Sequence, residues 1–172
     1  MSDRLISDNI LVAFETLHHL KTKKEEGKTG YTAIKLDMSK AYDRVEWTFL
    51  EKLMEKLGFD NRWISLVSSC IQSISFFVLV NGKPHGNFTP NRGFCHGDPL
   101  SPYLFLLCAE GLHSLVQQAE ISSSITGVSL CSVGPKVSHL FLADDSLLLC
   151  RVNSQEASTI MEISKQCEEA SG

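Results

Sequence analysis

Apolar residues along this chain switch between helical and strand-like spacing, and the switches predict a mixed fold. Ile10, Leu11, Phe14 and Leu17 recur at helical intervals within Ser7 to Leu20, and Ser7 or Asp8 is placed to cap the segment. A short amphipathic helix is expected there. Residues 31–37 alternate instead: Thr32, Ile34 and Leu36 fall on one face, Ala33, Lys35 and Asp37 on the other, the period of a half-buried strand. Asp37 should therefore point away from the packed side. Trp47, Leu50, Leu53, Met54 and Leu57 return to helical spacing and stop at Gly58, and Asp60 opens a second such run through Trp63, Ile64, Val67, Cys70 and Ile71. Both runs predict helices that face a core.

Further along, Ser75 to Val80 is apolar and meets Asn81-Gly82, a strong hairpin signal, so a strand pair should turn there and return through His85 to Thr89. Residues 92–102 form a Gly/Pro-rich loop. Ser101 supplies an N-cap and Pro102 a first helical residue for a helix from Tyr103 to about Gln118. Val137 to Leu142 and Ser146 to Arg151 are apolar runs separated by Ala143, Asp144 and Asp145, which predicts a second hairpin. Asn153 and Glu156 form a capping pair for a last helix, Ser154 to Ala170.

Composition narrows the class. The 172 residues are 43% hydrophobic and 21% charged, enough to build a core without disulfides or metal, which excludes collagenous, disordered and disulfide-scaffold chains. The longest apolar run, around Leu104 to Leu107, is far short of the roughly 18 residues of a membrane span, and the first residues open no signal peptide. An intracellular location is expected, nuclear or cytoplasmic. The six cysteines have no C-x-x-C spacing and read as reduced core thiols. A net charge of -4 weighs against a stand-alone nucleic-acid binder, so any polyanion must meet a local patch. Residues 21–30, with four lysines, read as a solvated loop or as such a patch.

Candidate chemistry gathers at Asp144 and Asp145. Two adjacent carboxylates at the tip of a very apolar hairpin repel each other, so the segment is either a merely polar tip or a site where a divalent cation offsets the cost. If residues 31–37 share a sheet with that hairpin, Asp37 joins the pair. Three carboxylates from two strands can hold two magnesium ions about 3.5 to 4 Å apart, the geometry of in-line nucleotidyl transfer.

The same residues carry a resemblance. KLDMSKAYDRVEW (35–47), RGFCHGDPLSPYLFLLCAEGL (92–112) and HLFLADDSLLLC (139–150) resemble motifs A, B and C of the reverse transcriptases of plant non-LTR (LINE-type) retrotransposons, and residues 3–18 resemble the segment before motif A. The resemblance implies an α+β polymerase palm, an antiparallel sheet with helices packed on one face, with partial fingers and no thumb. Residues 1–30 would be fingers-proximal and 31–172 the palm core. It implies RNA-directed DNA polymerisation with magnesium, or manganese in its place, acting on an RNA template, a DNA primer and deoxynucleoside triphosphates, with no membrane partner.

Carried over by position, Asp37, Asp144 and Asp145 are the catalytic metal ligands, assisted by the backbone carbonyl of Met38. Lys40 and Ala41 line the triphosphate side, and Tyr42 underlies the sugar and excludes a 2'-hydroxyl, or else simply packs at a helix start. His96 and Gly97 meet the incoming nucleotide. Arg92, Gly93, Asp98, Pro99 and Ser101 lie on the template and primer side, with capping of the next helix an alternative role for Asp98. Three departures stand out. Cys95 and His96 replace the usual Arg-Gln, Leu142 replaces an aromatic, and the basic fingers strands and the thumb are expected to be missing. A catalytically silent palm fragment that at most binds nucleic acid or a partner is therefore the alternative reading. A maturase-like RNA-binding protein would call for a more basic chain.

Overall fold

The computed structural model describes residues 6–22, 30–38, 40–130, 136–142 and 145–171. They form two compact units, one from residues 1–39 and 112–167, the other from residues 40–111 and 168–172.

The first unit is built on a three-stranded antiparallel sheet. β7 (Asp145–Arg151) lies between β1 (Tyr31–Asp37) and β6 (His139–Leu142). A central strand is covered on both faces, and β7 is accordingly apolar without alternation: Leu148, Leu149 and Cys150 are all buried. The outer strand β1 keeps the predicted alternation in its second half, where Lys35 and Asp37 are exposed and Ile34 and Leu36 half-buried. Its Ile34 and Leu36 join Phe141, Leu148 and Cys150 against Leu112, Val116 and Ala119 of α5 (Ser101–Ile121) and Ile160 and Ile163 of α6 (Ser154–Ser171). α6 starts as predicted, with the Asn153 side chain accepting from the Glu156 N–H at 2.6 Å.

Two expectations need correction here. α1 (Ile6–Thr22) touches β6 and β1, but its stripe of large apolar residues is not the packed face: Ile10, Leu11 and Phe14 are 57%, 61% and 71% exposed. Ala13 and Thr16 are buried instead. Small side chains let the helix backbone lie close to the strands, where the Asn9 amide donates to the Phe141 carbonyl at 3.3 Å. The expected strand from Val137 to Leu142 is also divided. β5 (Lys136–Val137) pairs with β4 (Val128–Ser129), and the chain changes sheets at buried Ser138 before β6. Gly127 permits this approach, since a Cβ there would lie 2.8 Å from the Val137 carbonyl carbon.

The second unit contains α2 (Ala41–Arg44), α3 (Trp47–Lys56), α4 (Asn61–Gln72), the hairpin β2 (Phe76–Val80) and β3 (Lys83–Phe88), and the first half of α5. Leu50 and Met54 of α3 pack with Ile64, Val67 and Ile71 of α4, together with Val45, Phe94, Leu104 and Cys108. Leu57, Trp63 and Cys70, assigned to that face by spacing, are exposed. They lie at the margin of a stripe narrower than the apolar pattern. The Asp60 carboxylate accepts from the Arg62 N–H at 2.9 Å and caps α4. Asn81 and Gly82 both have positive φ, 49° and 76°, so the hairpin turns where Asn-Gly predicts.

None of the described cysteines forms a disulfide. Cys108 and Cys150 are buried, and burial pushes the thiols of Cys150 and Cys167 up, which keeps them in the unreactive protonated form. Cys131 lies outside the described residues. No described helix is long and apolar enough to cross a membrane.

Candidate active site

The end of the β1–β7 ladder sets two carboxylates opposite each other. Asp37, the last residue of β1, is the register partner of Asp145, the first residue of β7. Facing residues of an antiparallel pair have Cα atoms about 4.5 to 5.5 Å apart, and like charges there destabilise the pairing. A neighbouring cation relieves this repulsion. Lys35 shares a strand face with Asp37, two residues back, and reaches diagonally across to place Nζ 2.8 Å from Asp145 Oδ2. The hydrogen bond and charge of Asp145 raise the Lys35 pKa, with a smaller contribution from Asp37.

Asp144, the third expected ligand, lies outside the described residues, as do Ala143 and Ser39. The half-buried Met38 side chain packs with the core cluster, and the Ser146 hydroxyl donates to its sulfur at 3.2 Å. Any part of Met38 in a metal site thus falls to its backbone. Two hard carboxylate oxygen donors that already gather positive charge suit a hard divalent cation. Lys35 is 60% exposed and Asp145 43%, so water screens their pair and leaves it open to displacement.

In the second unit, residues 92–96 are strapped to α2 and the start of α3. The Gly93 N–H donates to the Val45 carbonyl (2.8 Å), the Phe94 N–H to the Tyr42 carbonyl (3.0 Å), and the Trp47 indole to the Gly93 carbonyl (2.8 Å). Only glycine fits at 93: its φ is +77°, and a Cβ would fall 2.4 Å from the Asp43 carbonyl oxygen. This places Gly93 as a packing residue on the strap. The Tyr42 ring packs against Phe94, Phe105 and His96, the last at 5.0 Å between centroids. His96 Nε2 lies 2.9 Å from Asp43 Oδ1. Asp43, Arg92, Cys95 and His96 line a cavity of about 280 Å³, with Trp47, Ile71, Ile74, Phe76 and Phe94 among its apolar walls.

The remaining positions divide by exposure. Lys40, Arg92, Gly97 and Pro99 are exposed, and Ala41 is half-buried beside Tyr42. Gly97 has φ +89° with nothing near its absent side chain, an open backbone that a ligand can approach. Ser101 is the exception. It is buried, and its hydroxyl donates to Asp98 Oδ2 at 3.0 Å while Asp98 Oδ1 accepts from the Leu100 N–H. These bonds give Ser101 a structural place at the start of α5, with Asp98 serving the helix. Sequence reasoning missed Lys35 and Asp43 as site residues. Lys35 was legible in principle, because alternation puts it on the face of Asp37; nothing local marks Asp43, whose partner is 53 residues away.

An α+β unit that presents facing carboxylates at the end of a buried antiparallel sheet is palm-like, and the structure of apo telomerase from Candida tropicalis, truncated from its C-terminal domain, shares the fold. The match has a TM-score of 0.63 at 15% identity, covering 98% of this chain and 33% of that one. The chain belongs to the reverse transcriptase (RNA-dependent DNA polymerase) family, whose sequence profile matches residues 4–172. It is similar to the Pol polyprotein of the type-1 retrotransposable element R2 of Popillia japonica, 30% identical over 77% of this chain and 21% of the relative. An uncharacterized mitochondrial protein of Arabidopsis thaliana is 44% identical over 41% of this chain and 60% of its own length. The chain thus spans about a fifth of the R2 polyprotein it matches. Members of the family are nucleotidyltransferases that generally use divalent metal.

Proposed function

We propose that this chain is the palm of an RNA-directed DNA polymerase from a non-LTR retrotransposon, acting inside the cell, in the nucleus or cytoplasm, on an RNA template, a DNA primer and deoxynucleoside triphosphates. The observation that carries the reading is the register of Asp37 with Asp145, which brings together carboxylates 108 residues apart without a local sequence reason. Asp37, Asp144 and Asp145, with the Met38 carbonyl, would hold magnesium. When bound, the metal supplies positive charge for the attacking hydroxyl and the leaving phosphate oxygen.

The chain's own residues do the rest. Lys35 keeps the facing carboxylates tolerable through its ion pair with Asp145, and would give that carboxylate up where a divalent ion is held. Tyr42, held on three sides by rings, offers a rigid floor for a sugar and excludes a 2'-hydroxyl by bulk. Lys40 is exposed to meet phosphate, with Ala41 beside it; His96 and the open backbone at Gly97 meet the nucleotide. Arg92 and Pro99 are surface positions for template or primer.

The test is primer extension on an RNA template with magnesium, comparing wild type with Asp144→Ala and Asp145→Ala. Incorporation that depends on the aspartates supports the reading. Equal background in all three favours the second reading, a catalytically silent palm. That reading draws on one specific feature: His96 replaces the motif's glutamine and is bonded to Asp43. If that replacement is damaging, His96→Gln should improve nucleotide use.

A further inference from the structure

His96 stands where motif B has glutamine, and the structure shows what holds it. Its ring stacks on Tyr42 with the planes 30° apart, and its Nε2 lies 2.9 Å from Asp43 Oδ1. Both partners belong to α2. The stack sets the plane of the ring, and the hydrogen bond sets which edge faces α2. An ionised carboxylate only accepts hydrogen bonds, so the nitrogen facing Asp43 carries the proton. In the neutral ring Nδ1 is then left as an acceptor. A glutamine offers an amide donor as well as an acceptor; histidine held this way offers a single lone pair.

We propose that Asp43 is a positioning residue that favours the Nε2–H tautomer of His96 through their exposed contact, so that the surface beside Tyr42 selects an incoming nucleotide through a sugar hydroxyl rather than a phosphate oxygen. Phosphate oxygens are acceptors and find no partner in a lone pair; a hydroxyl donates to it. The inference rests on the reading of Tyr42 and His96 as nucleotide-binding residues. It predicts that a deoxynucleoside triphosphate binds more tightly than its 3'-deoxy counterpart, by about fivefold for one net hydrogen bond.

The tautomer can be read independently of activity. Nitrogen-15 spectra of the histidine rings of the whole chain, recorded at alkaline pH where imidazole is neutral, report which nitrogen is protonated, and the signal missing in His96→Gln assigns the residue. Nε2–H in the wild type supports the proposal; Nδ1–H overturns it. Asp43→Lys replaces the acceptor by an ammonium that only donates, and a ring paired with it should then invert to Nδ1–H. Equilibrium binding of the two nucleotides with magnesium present should show the preference in wild type and its loss in Asp43→Lys, with no effect of Asp43→Lys on the preference when His96 is already Gln. A preference that survives in an Asp43→Lys chain whose ring has inverted overturns the selective role. A chain with the Nε2–H ring that binds neither nucleotide supports the tautomer assignment and overturns both the selective role and the nucleotide-site reading beneath it.

Discussion

Hairpin β2–β3 turns at Asn81-Gly82 with both residues at positive φ, and its strands stand in solvent: Phe77, Leu79 and Phe88 are 56%, 70% and 54% exposed. Hairpin β6–β7 has no such turn signal, yet Leu148, Leu149 and Cys150 of β7 are buried beneath two neighbouring strands and helices. The strong local signal made a hairpin without a carboxylate, and the weak one made the hairpin that bears the carboxylates. Turn chemistry is a local property of two residues, whereas a site needs a frame that cannot slip. A one-residue shift of β7 would turn Asp145 to the opposite face of the sheet, and pairing with β1 on one edge and β6 on the other opposes that shift.

Four measurements sharpen this contrast. Leu149→Ala should lower the unfolding free energy by about 2–5 kcal/mol in urea titration, because it opens a cavity in the central strand. A loss no larger than that of a surface substitution would mean β7 is not the frame. Next is Glu156, buried where β7 passes into α6. Its carboxylate accepts from the N–H groups of Thr126 (3.0 Å) and Arg151 (2.9 Å), and Glu156→Ala should cost on the order of 2 kcal/mol by leaving them unpaired. Burial pushes this carboxyl up, but the hydrogen bonds from Arg151, Thr126 and Asn153 outweigh it and hold the pKa below the ordinary value of 4.5. Its contribution is therefore whole above that value and lost as pH falls through the lower folded one. Stability against pH in wild type and Glu156→Gln should converge at the acid end; parallel curves would contradict the assignment.

Lys35→Met tests the rim of the same hairpin. Removing the resident ammonium should tighten manganese binding severalfold by titration calorimetry, and unchanged or weaker binding would show that Lys35 does not compete for the carboxylates. The smallest effect is expected on the other hairpin. Leu79→Ala should stay within about 0.5 kcal/mol of wild type, since the side chain leaves little packing behind. A loss matching that of Leu149→Ala would erase the distinction between the two hairpins.

Much of this was legible in the residues. Asp60, the Asn153–Glu156 pair and Asn81-Gly82 end or begin elements through contacts within three residues, and alternation in residues 31–37 put Asp37 on the face away from Ile34 and Leu36. Less legible was which apolar stripe would be covered. Ile10, Leu11 and Phe14 have the right spacing, but close approach to the strands favoured Ala13 and Thr16. The switch at Ser138 was hidden as well, because it depends on Gly127 admitting a second backbone.

The sequence by itself determined most of the longer strands and helices, several caps and the Asn-Gly turn, and the family, because these depend on neighbours a few residues apart and on motifs in order. Tertiary structure alone decided that Asp37 faces Asp145 with Lys35 reaching across, and that Asp43 holds His96. Those partners are separated by 53 residues or more, and only strand register and the packing of buried side chains select one pairing among the many that the chain's spacing allows.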